Sequence, residues 1–266
     1  MDTFTVSGPD ISAAWIRACR ALDQLPGRRA YHTVVRIEDP TSDDPRVRSR
    51  LDRILTSKQK QPVRTVANTI FPAALARSAK DHDTLVARYQ DAFPTLKRLH
   101  RGNQLGTYFD RLINYPGPRG RNDQLAFIIG RLRQQQETRG PMTACYEANL
   151  VSPAADHDRG AVAVSAPVRV PGVDNGIMQF PCLSHCSFQL DRAGRLHLTA
   201  LYRSQYMVER AYGNYVGLGE LLAYVAERSG LHMGRLTVVA GYAQIDGGFI
   251  TKIRPLLAEA TTPLAA

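Results

Sequence analysis

Residues 181–246 constrain the fold more than any other part of the chain. Cys186-Ser187-Phe188-Gln189-Leu190 alternates apolar and polar side chains, the period of a half-buried strand. Asp191-Arg192-Ala193-Gly194 supplies a polar turn, and Arg195-Leu196-His197-Leu198-Thr199-Ala200-Leu201-Tyr202 alternates again. A segment ending at Asn214 enters a helix, Tyr215 to Ser229, closed by Gly230, and Leu236 to Ala240 is a continuous apolar strand of the buried kind. Gly217 and Gly219 inside that helix predict close packing against a neighbour rather than a phosphate loop. Strand, turn, strand, helix and buried strand in this order predict an α+β domain.

The remaining chain fits that class. Asp10 or Ser12 can cap a helix over residues 10–25, with Ile11, Trp15, Ile16, Cys19 and Leu22 on one stripe and Pro26-Gly27 ending it. Tyr31 to Ile37 alternates as a strand, and Val47 to Leu55 reads as a short basic helix. The β-branched run from Pro62 to Phe71, closed by Pro72, predicts a buried strand or extended entry segment. Helical patterns cover 73–79, 81–99 and 123–136. Residues 151–180 are rich in Pro, Ala, Asp and Val and read as an excursion, and the Ala/Thr/Pro-rich tail from Pro255 is expected to fray. No repeat or linker divides the sequence, so residues 1–266 read as a single domain.

Charge and cysteine usage narrow the function class. Lys+Arg 34 against Asp+Glu 24 gives a formal net charge of +10. The arginines are scattered, with no interleaved basic and aromatic run, which argues for a small phosphate-bearing ligand over extended nucleic acid. Cys19, Cys145, Cys182 and Cys186 do not form a disulfide framework, and the Cys182/Cys186 spacing is half a zinc site with no second pair, so no metal is expected. No basic-then-apolar leader and no apolar run of roughly 18 residues is present, which predicts a cytoplasmic protein without a membrane partner.

Cys182, His185, Arg203 and Asn214 bring a thiol, an imidazole, a guanidinium and a carboxamide to strand ends within one unit. Phe188-Gln189, then Tyr202-Arg203-Ser204, then Asn214 eleven residues after Arg203 and Gly241 27 residues after Asn214 form an ordered set. This set resembles the thymidylate synthase and pyrimidine-nucleotide hydroxymethylase family. Upstream, Leu105-Gly106-Thr107-Tyr108 and Asp123-Gln124-Leu125 are similar to that family's Gly-x-x-Tyr segment and following helix, and Thr138-Arg139 to its phosphate clamp.

The resemblance implies a thymidylate-synthase-like fold, a large mixed β-sheet packed by helices, with one sheet face used for dimerisation. It implies a homodimer in which Arg139 reaches the partner's phosphate site. A thiolate would add to C6 of a pyrimidine nucleotide and make C5 nucleophilic toward a carbon carried by 5,10-methylenetetrahydrofolate. A thiol suits this role because it is nucleophilic near neutral pH and leaves again easily. Arg203 would stabilise the thiolate and bind phosphate beside Ser204, and Asn214 would hold the base edge. Tyr108 and His185 would stand in the catalytic group and Gln189 in the substrate site.

The sequence also departs from the family. Counting back without a gap from Phe188-Gln189 puts Ser184 at the nucleophile position, whereas Cys182 keeps the Pro-Cys junction; a two-residue insertion would restore Cys182. Tyr206 stands in place of an Asp that contacts the pterin. Tyr242, Gln244 and Asp246 replace the Asp, His and Tyr of the Gly-Asp-x-His-x-Tyr motif, which assigns Gln244 and Asp246 to altered sugar recognition and Tyr206 and Tyr242 to cofactor contact. No Glu occurs between Asp39 and Gln136, and Gly140 removes the clamp's second Arg. These changes favour transfer of a hydroxymethyl group over a methyl group, because the former needs no hydride step. Two alternatives stay open: a folate-independent enzyme on this fold using His185, Tyr206 and Asp246 as acid–base groups, and a non-catalytic nucleotide-binding protein using Arg203, Asn214 and Arg139.

Overall fold

Two parallel neighbours, β7 (Arg195–Tyr202) and β9 (His232–Gln244), form the middle of a seven-stranded mixed sheet. The computed structural model describes residues 2–99, 106–117, 120–136, 165–168 and 181–259. The sheet runs β1 (Thr5–Asp10), β2 (Arg29–Asp39), β9, β7, β6 (Leu183–Leu190), β5 (Ser165–Pro167), and β8 (Gln205–Tyr206) also pairs with β9. β1 is parallel to β2, β2 antiparallel to β9, and β6 antiparallel to both β7 and β5. A mixed sheet packed by helices is therefore present.

Alternation decides which face is covered. Leu183, Cys186, Phe188 and Leu190 of β6, Leu196, Leu198, Ala200 and Tyr202 of β7, and Leu236, Val238 and Ala240 of β9 are all buried under the helices. His185, Ser187, Gln189, His197, Thr199, Leu201, Thr237 and Val239 point the other way and are half-buried or exposed. Each large apolar side chain on the covered face contributes about 1.5–3 kcal/mol by leaving water, so a register slip would forfeit a whole row of them.

The covering helices are α1 (Ile11–Asp23) and α8 (Tyr212–Ser229). Asp10 caps α1 by accepting the Ala13 N–H at 2.8 Å. Trp15 is fully buried, meets Tyr212 edge-on at 5.6 Å, and donates its indole N–H to the Met207 carbonyl at 2.6 Å. Gly217 and Gly219 answer to close contact, as expected: a Cβ on Gly217 would lie 2.6 Å from the Ala67 carbonyl oxygen, and one on Gly219 1.8 Å from that of Pro40.

The Ala67 contact belongs to a correction. Residues Val63–Ile70 form helix α3, not the strand that their β-branched composition predicts. Val63, Val66, Ala67 and Ile70 recur at helical spacing and are all buried, and the bare glycines of α8 admit them. Packing overrides local propensity here. The tail is a second correction: α9 (Ile250–Glu259) continues through Pro255. Proline removes one helical N–H, but Leu256 and Leu257 are buried and Arg20 donates to the Leu257 carbonyl at 3.0 Å. Helices α2 (Pro45–Thr56), α4 (Ala73–Ser78), α5 (His82–Leu99), α6 (Tyr108–Ile113) and α7 (Gln124–Gln136) complete the layer, and β3 (Tyr115–Gly117) and β4 (Gly120–Asn122) make a small separate hairpin. The proposed excursion at 151–180 falls largely outside the described residues.

One irregularity crosses three strands. Thr33, Ala240 and Tyr202 are adjacent and buried, and so are Ala30, Ala243 and Gln205 three residues away. Strict alternation would put two positions three apart on opposite faces, so each strand kinks between them. His32 takes up the kink in β2 with a φ of 49°, and β7 gives way to β8 at Arg203-Ser204. At Gly241, a Cβ would stand 3.2 Å from the Arg203 carbonyl oxygen. Cys182, Tyr202 and Arg203 lie at this kink.

Candidate active site

Cys182 enters β6 beside the point where β7 ends. Its carbonyl accepts the Arg203 N–H at 2.9 Å, and the next pair is Leu183 opposite Tyr202. The strand then bulges: His185, not Ser184, lies opposite Leu201. The Ser184 hydroxyl is engaged by the Leu201 carbonyl at 3.0 Å. One extra residue at this bulge moves Cys182 out of simple sequence count with Phe188-Gln189.

The half-buried, free Cys182 thiol lies within the field of two guanidinium groups, Arg203 and Arg210. Burial pushes the thiol up, and those two charges oppose the shift. Tyr108 opens α6, where the Thr107 hydroxyl accepts the Asp110 N–H at 3.1 Å. Burial and the neighbouring Cys182 push the Tyr108 phenol up to about 12, against the N–H groups of Leu183 and Cys182 and the charge of Arg210. The phenol therefore stays a proton donor at neutral pH, aimed at the same corner as the thiol.

Tyr202 adds a second phenol. Its ring is buried, its hydroxyl has no hydrogen-bond partner among the described residues, and Tyr108, Cys186, Tyr215 and Cys182 surround it. A buried hydroxyl without a partner costs about 1–3 kcal/mol and marks a place for a water or a ligand atom. Gln205 carries another such atom, its amide nitrogen; its oxygen accepts a long 3.4 Å bond from Tyr215. Asn214, 5% exposed in the first turn of α8, takes no hydrogen bond among the described residues.

Between β8 and α8, residues Met207–Ala211 form a π-helical turn. Asp246 secures it from below, accepting the Glu209 N–H at 2.6 Å and facing that of Val208. The carboxylate is enclosed, its other oxygen has no partner among the described residues, and burial pushes it up to about 7. Lys60 pairs with Glu209 at 2.9 Å on the outside of the same turn. Arg210 projects from this turn, exposed and without an ion pair among the described residues.

Cys182 and Arg203 are tied through their backbones and Tyr108 neighbours the same thiol, while Asn214 is buried in the first turn of α8 and half-buried Ser204 follows Arg203 in the chain. His185 faces the open side of the sheet with Leu201. Gln189 lies at the far end of β6, about 20 Å along the strand from Leu183, and donates weakly to Ser187 at 3.4 Å. Tyr206 is 46% exposed on the face opposite Gln205. Tyr242 packs on Tyr31 at 5.5 Å and donates to Gln244 at 2.8 Å, again on the open face. The structure therefore separates Tyr206, Tyr242, Gln244 and Gln189 from Cys182, and it puts Asp246 under a backbone turn. Arg139 falls outside the described residues.

Sequence reasoning passed over Arg210 and gave Tyr202 no role. The signal for Arg210 was its position one turn before Asn214, visible only once the helix is seen to begin before Tyr215.

Comparison with known proteins bears on the reading at this point. No family model matches the chain. It is 30% identical over 139 residues to a protein of Methanosarcina barkeri named "Putative thymidylate synthase", which is 52% of each chain. It is 31% identical over 139 residues to a protein of the same name from Methanosarcina mazei, 52% of each, and 27% over 144 residues to one from Methanocaldococcus jannaschii, 53% of this chain and 56% of that one. The chain spans about half the length of the curated relatives it matches. Among the described residues no helix is long and apolar enough to cross a membrane. Over the half that aligns, its relatives are proteins named putative thymidylate synthase, which supports the divergent thymidylate-synthase-like family read from its motifs.

Proposed function

We propose that the protein is a thymidylate-synthase-like one-carbon transferase that acts at C5 of a pyrimidine nucleotide, with Cys182 as the nucleophile. The observation that carries this is the convergence of Cys182 with Arg203, whose N–H binds the Cys182 carbonyl at 2.9 Å, and with Tyr108, whose phenol meets the N–H groups of Leu183 and Cys182. The Cys182 thiol gives up its proton to solvent as its sulfur adds to C6 of the ring, and the electron pair of the C5–C6 bond moves toward C5 and O4. Tyr108, a phenol kept protonated by burial, donates toward the oxygen or the water where that charge gathers. Asn214 can donate to O4 and accept from N3–H, fixing a uracil edge. C5 is then the nucleophile; loss of its proton and expulsion of the thiolate restore the aromatic ring.

We assign hydroxymethyl rather than methyl as the transferred group, since no reducing step is then required. Methylenetetrahydrofolate is the donor that the relatives' name suggests. Tyr206 and Tyr242, the residues named for it, do not fit a folate held against Cys182, because they occupy the other sheet face. That mismatch favours a second reading, folate-independent C5/C6 chemistry in the same corner. The open face of the sheet, with exposed Leu201 beside Thr199, Thr237 and Val239, is the surface through which we expect two copies to pair.

The test is hydrogen exchange. In D₂O, uridine and deoxyuridine monophosphates should lose their C5 proton signal in the presence of the protein, and Cys182→Ala should abolish the loss. No exchange with any bound pyrimidine would end the covalent reading. Added methylenetetrahydrofolate then separates the two readings by whether a C5 product appears.

A further inference from the structure

We infer that the groove along the outer side of α2 is a separate anion-binding site, taking the phosphate of a small phosphomonoester and linked to the start of α8. It does not rest on the nucleotide reading of the Cys182 corner. The groove has a volume of about 650 Å³ and is lined by Arg48, Ser49, Asp52, Arg53, Thr56 and Ser57. Residues three and four apart share one side of a helix, so Arg53 has the Ser49 hydroxyl one turn before it and the Thr56 hydroxyl one turn after. All three are exposed, and none of their side chains has a partner among the described residues. Arg46 and Arg50 of the same helix, by contrast, each hold a carboxylate. Asp52, the acidic residue of the lining, is tied to the start of α3, where it accepts the Val63 N–H at 2.7 Å. Two arginines outweigh it, and Lys252 adds a third cation at one end by donating to the Ser57 hydroxyl at 2.7 Å.

Arg48 is held in place from behind. Its Nη1 donates to Asp43 at 3.2 Å, Asp43 accepts the Tyr212 O–H at 3.1 Å, and the Tyr212 oxygen lies 2.7 Å from the Ser12 hydroxyl. The other nitrogens of Arg48 make no bond among the described residues. A guanidinium fixed along one edge offers its free edge to a phosphate and loses little entropy on binding. The volume exceeds that of bare phosphate and falls in the range of small-ligand sites, which leaves room for an attached organic group. The same bonds carry occupancy inward. Tyr212 opens α8 and meets Trp15, the only tryptophan of the chain, edge-on at 5.6 Å. A phosphate that draws on Arg48 loosens its hold on Asp43 and so alters the setting of Tyr212 beside Trp15.

The experiment titrates inorganic phosphate and glycerol phosphate into the full chain, following the backbone amides of α2 by NMR and the emission of Trp15. Both anions should shift the amides around Arg48, Arg53 and Thr56 and change the Trp15 emission with one dissociation constant. Arg53→Gln, a change at an exposed side chain without a partner among the described residues, should keep the fold and weaken binding by about 10-fold or more, the loss of one charge-assisted contact. Arg203→Gln, in the Cys182 corner, should leave the constant within about 2-fold, since screening removes most of a distant charge. α2 amides that do not move with either anion overturn the site. So does Arg53→Gln binding as tightly as wild type, or Arg203→Gln weakening binding equally, which would put the phosphate in the Cys182 corner. Amide shifts in α2 with unchanged Trp15 emission would uphold the groove and overturn its link to α8.

Discussion

Replacing Asp246 with Asn should change how stability depends on pH, by an amount that can be worked out from its surroundings. Asp246 is 6% exposed, burial pushes its carboxyl up to about 7, and Glu209 adds repulsion that the N–H groups of Glu209 and Val208 and the Lys60 charge only partly offset. In the unfolded chain the same group titrates near 3.9. Between those values the folded state holds a proton that the unfolded state has released, so stability falls as pH rises through this window. Above about 8 both states are ionised and the folded protein bears the full cost of an enclosed charge. From pH 4.5 to pH 8 the linkage amounts to about 3 kcal/mol.

Asp246→Asn keeps a carbonyl to accept the Glu209 N–H and cannot ionise. Its stability relative to wild type should therefore improve by about 3 kcal/mol as pH goes from 4.5 to 8. The absolute sign at either end depends on the new N–H₂ group at the oxygen position that now lacks a partner. Comparing the two proteins by urea unfolding at each pH cancels every other titrating group. Parallel pH profiles, within about 0.5 kcal/mol, would refute the enclosed-charge account, as would a difference of opposite sign.

Other consequences are more quickly stated. Ser184→Ala should keep C5 exchange within about 3-fold of wild type, since its hydroxyl is bound to a strand carbonyl and loses only a hydrogen bond worth about 0.5–1.5 kcal/mol; exchange abolished in that variant would move the nucleophile to Ser184. Gly219→Ala should destabilise by about 1–3 kcal/mol in urea, because its Cβ would stand 1.8 Å from the Pro40 carbonyl oxygen and that strain outweighs a helix-propensity gain of about 1 kcal/mol. On the proposed pairing of two copies through the open face, Leu201→Arg should lower the mass read by light scattering from dimer to monomer, and equal masses for variant and wild type would remove that face as the interface. Alkylation of Cys182 by a neutral reagent should accelerate with pH only above the usual thiol range, since burial raises this thiol; half-maximal reactivity near neutral pH would contradict that environment.

Much of the sheet was legible because its strands obey a two-residue period and the turn Asp191–Gly194 is polar. β7 begins and ends where the alternation does, at Arg195 and Tyr202. α3 was not legible: Val63, Val66 and Ile70 are β-branched, and only the glycines of α8, more than a hundred residues away, make a helix the better packing there. β9 extends beyond Leu236–Ala240 because Met233 still pairs with β7 and Ala243 and Gln244 with β2 and β8, while the Arg235 N–H goes to the His197 ring. In the candidate site, chain order named Arg203, Asn214 and Tyr108 and left Cys182 and Ser184 both open as the nucleophile. It could not say which sheet face Tyr206 or Tyr242 occupies, because that depends on kinks that leave no mark in composition.

Those kinks also explain why the site lies where it does. The register between β9 and its neighbour is unbroken, Tyr202 opposite Ala240 and Gln205 opposite Ala243. A regular strand joining those pairs would turn either Tyr202 or Gln205 to the open face, and it would hold Arg203 flat in the ladder. Kinking instead keeps both Tyr202 and Gln205 buried on the helix side, where each contributes a polar atom without a partner. Arg203 stays tied at the break: its carbonyl accepts the Tyr242 N–H at 3.1 Å and its N–H binds the Cys182 carbonyl at 2.9 Å. The same backbone positions thus tie the cysteine to the arginine and concentrate unsatisfied polar groups behind them. His32, held at a φ of 49°, takes the matching kink in β2 at a conformational cost of about 1 kcal/mol or more. The strain at His32 and the two polar atoms that lack partners among the described residues all trace to this one kink across the sheet.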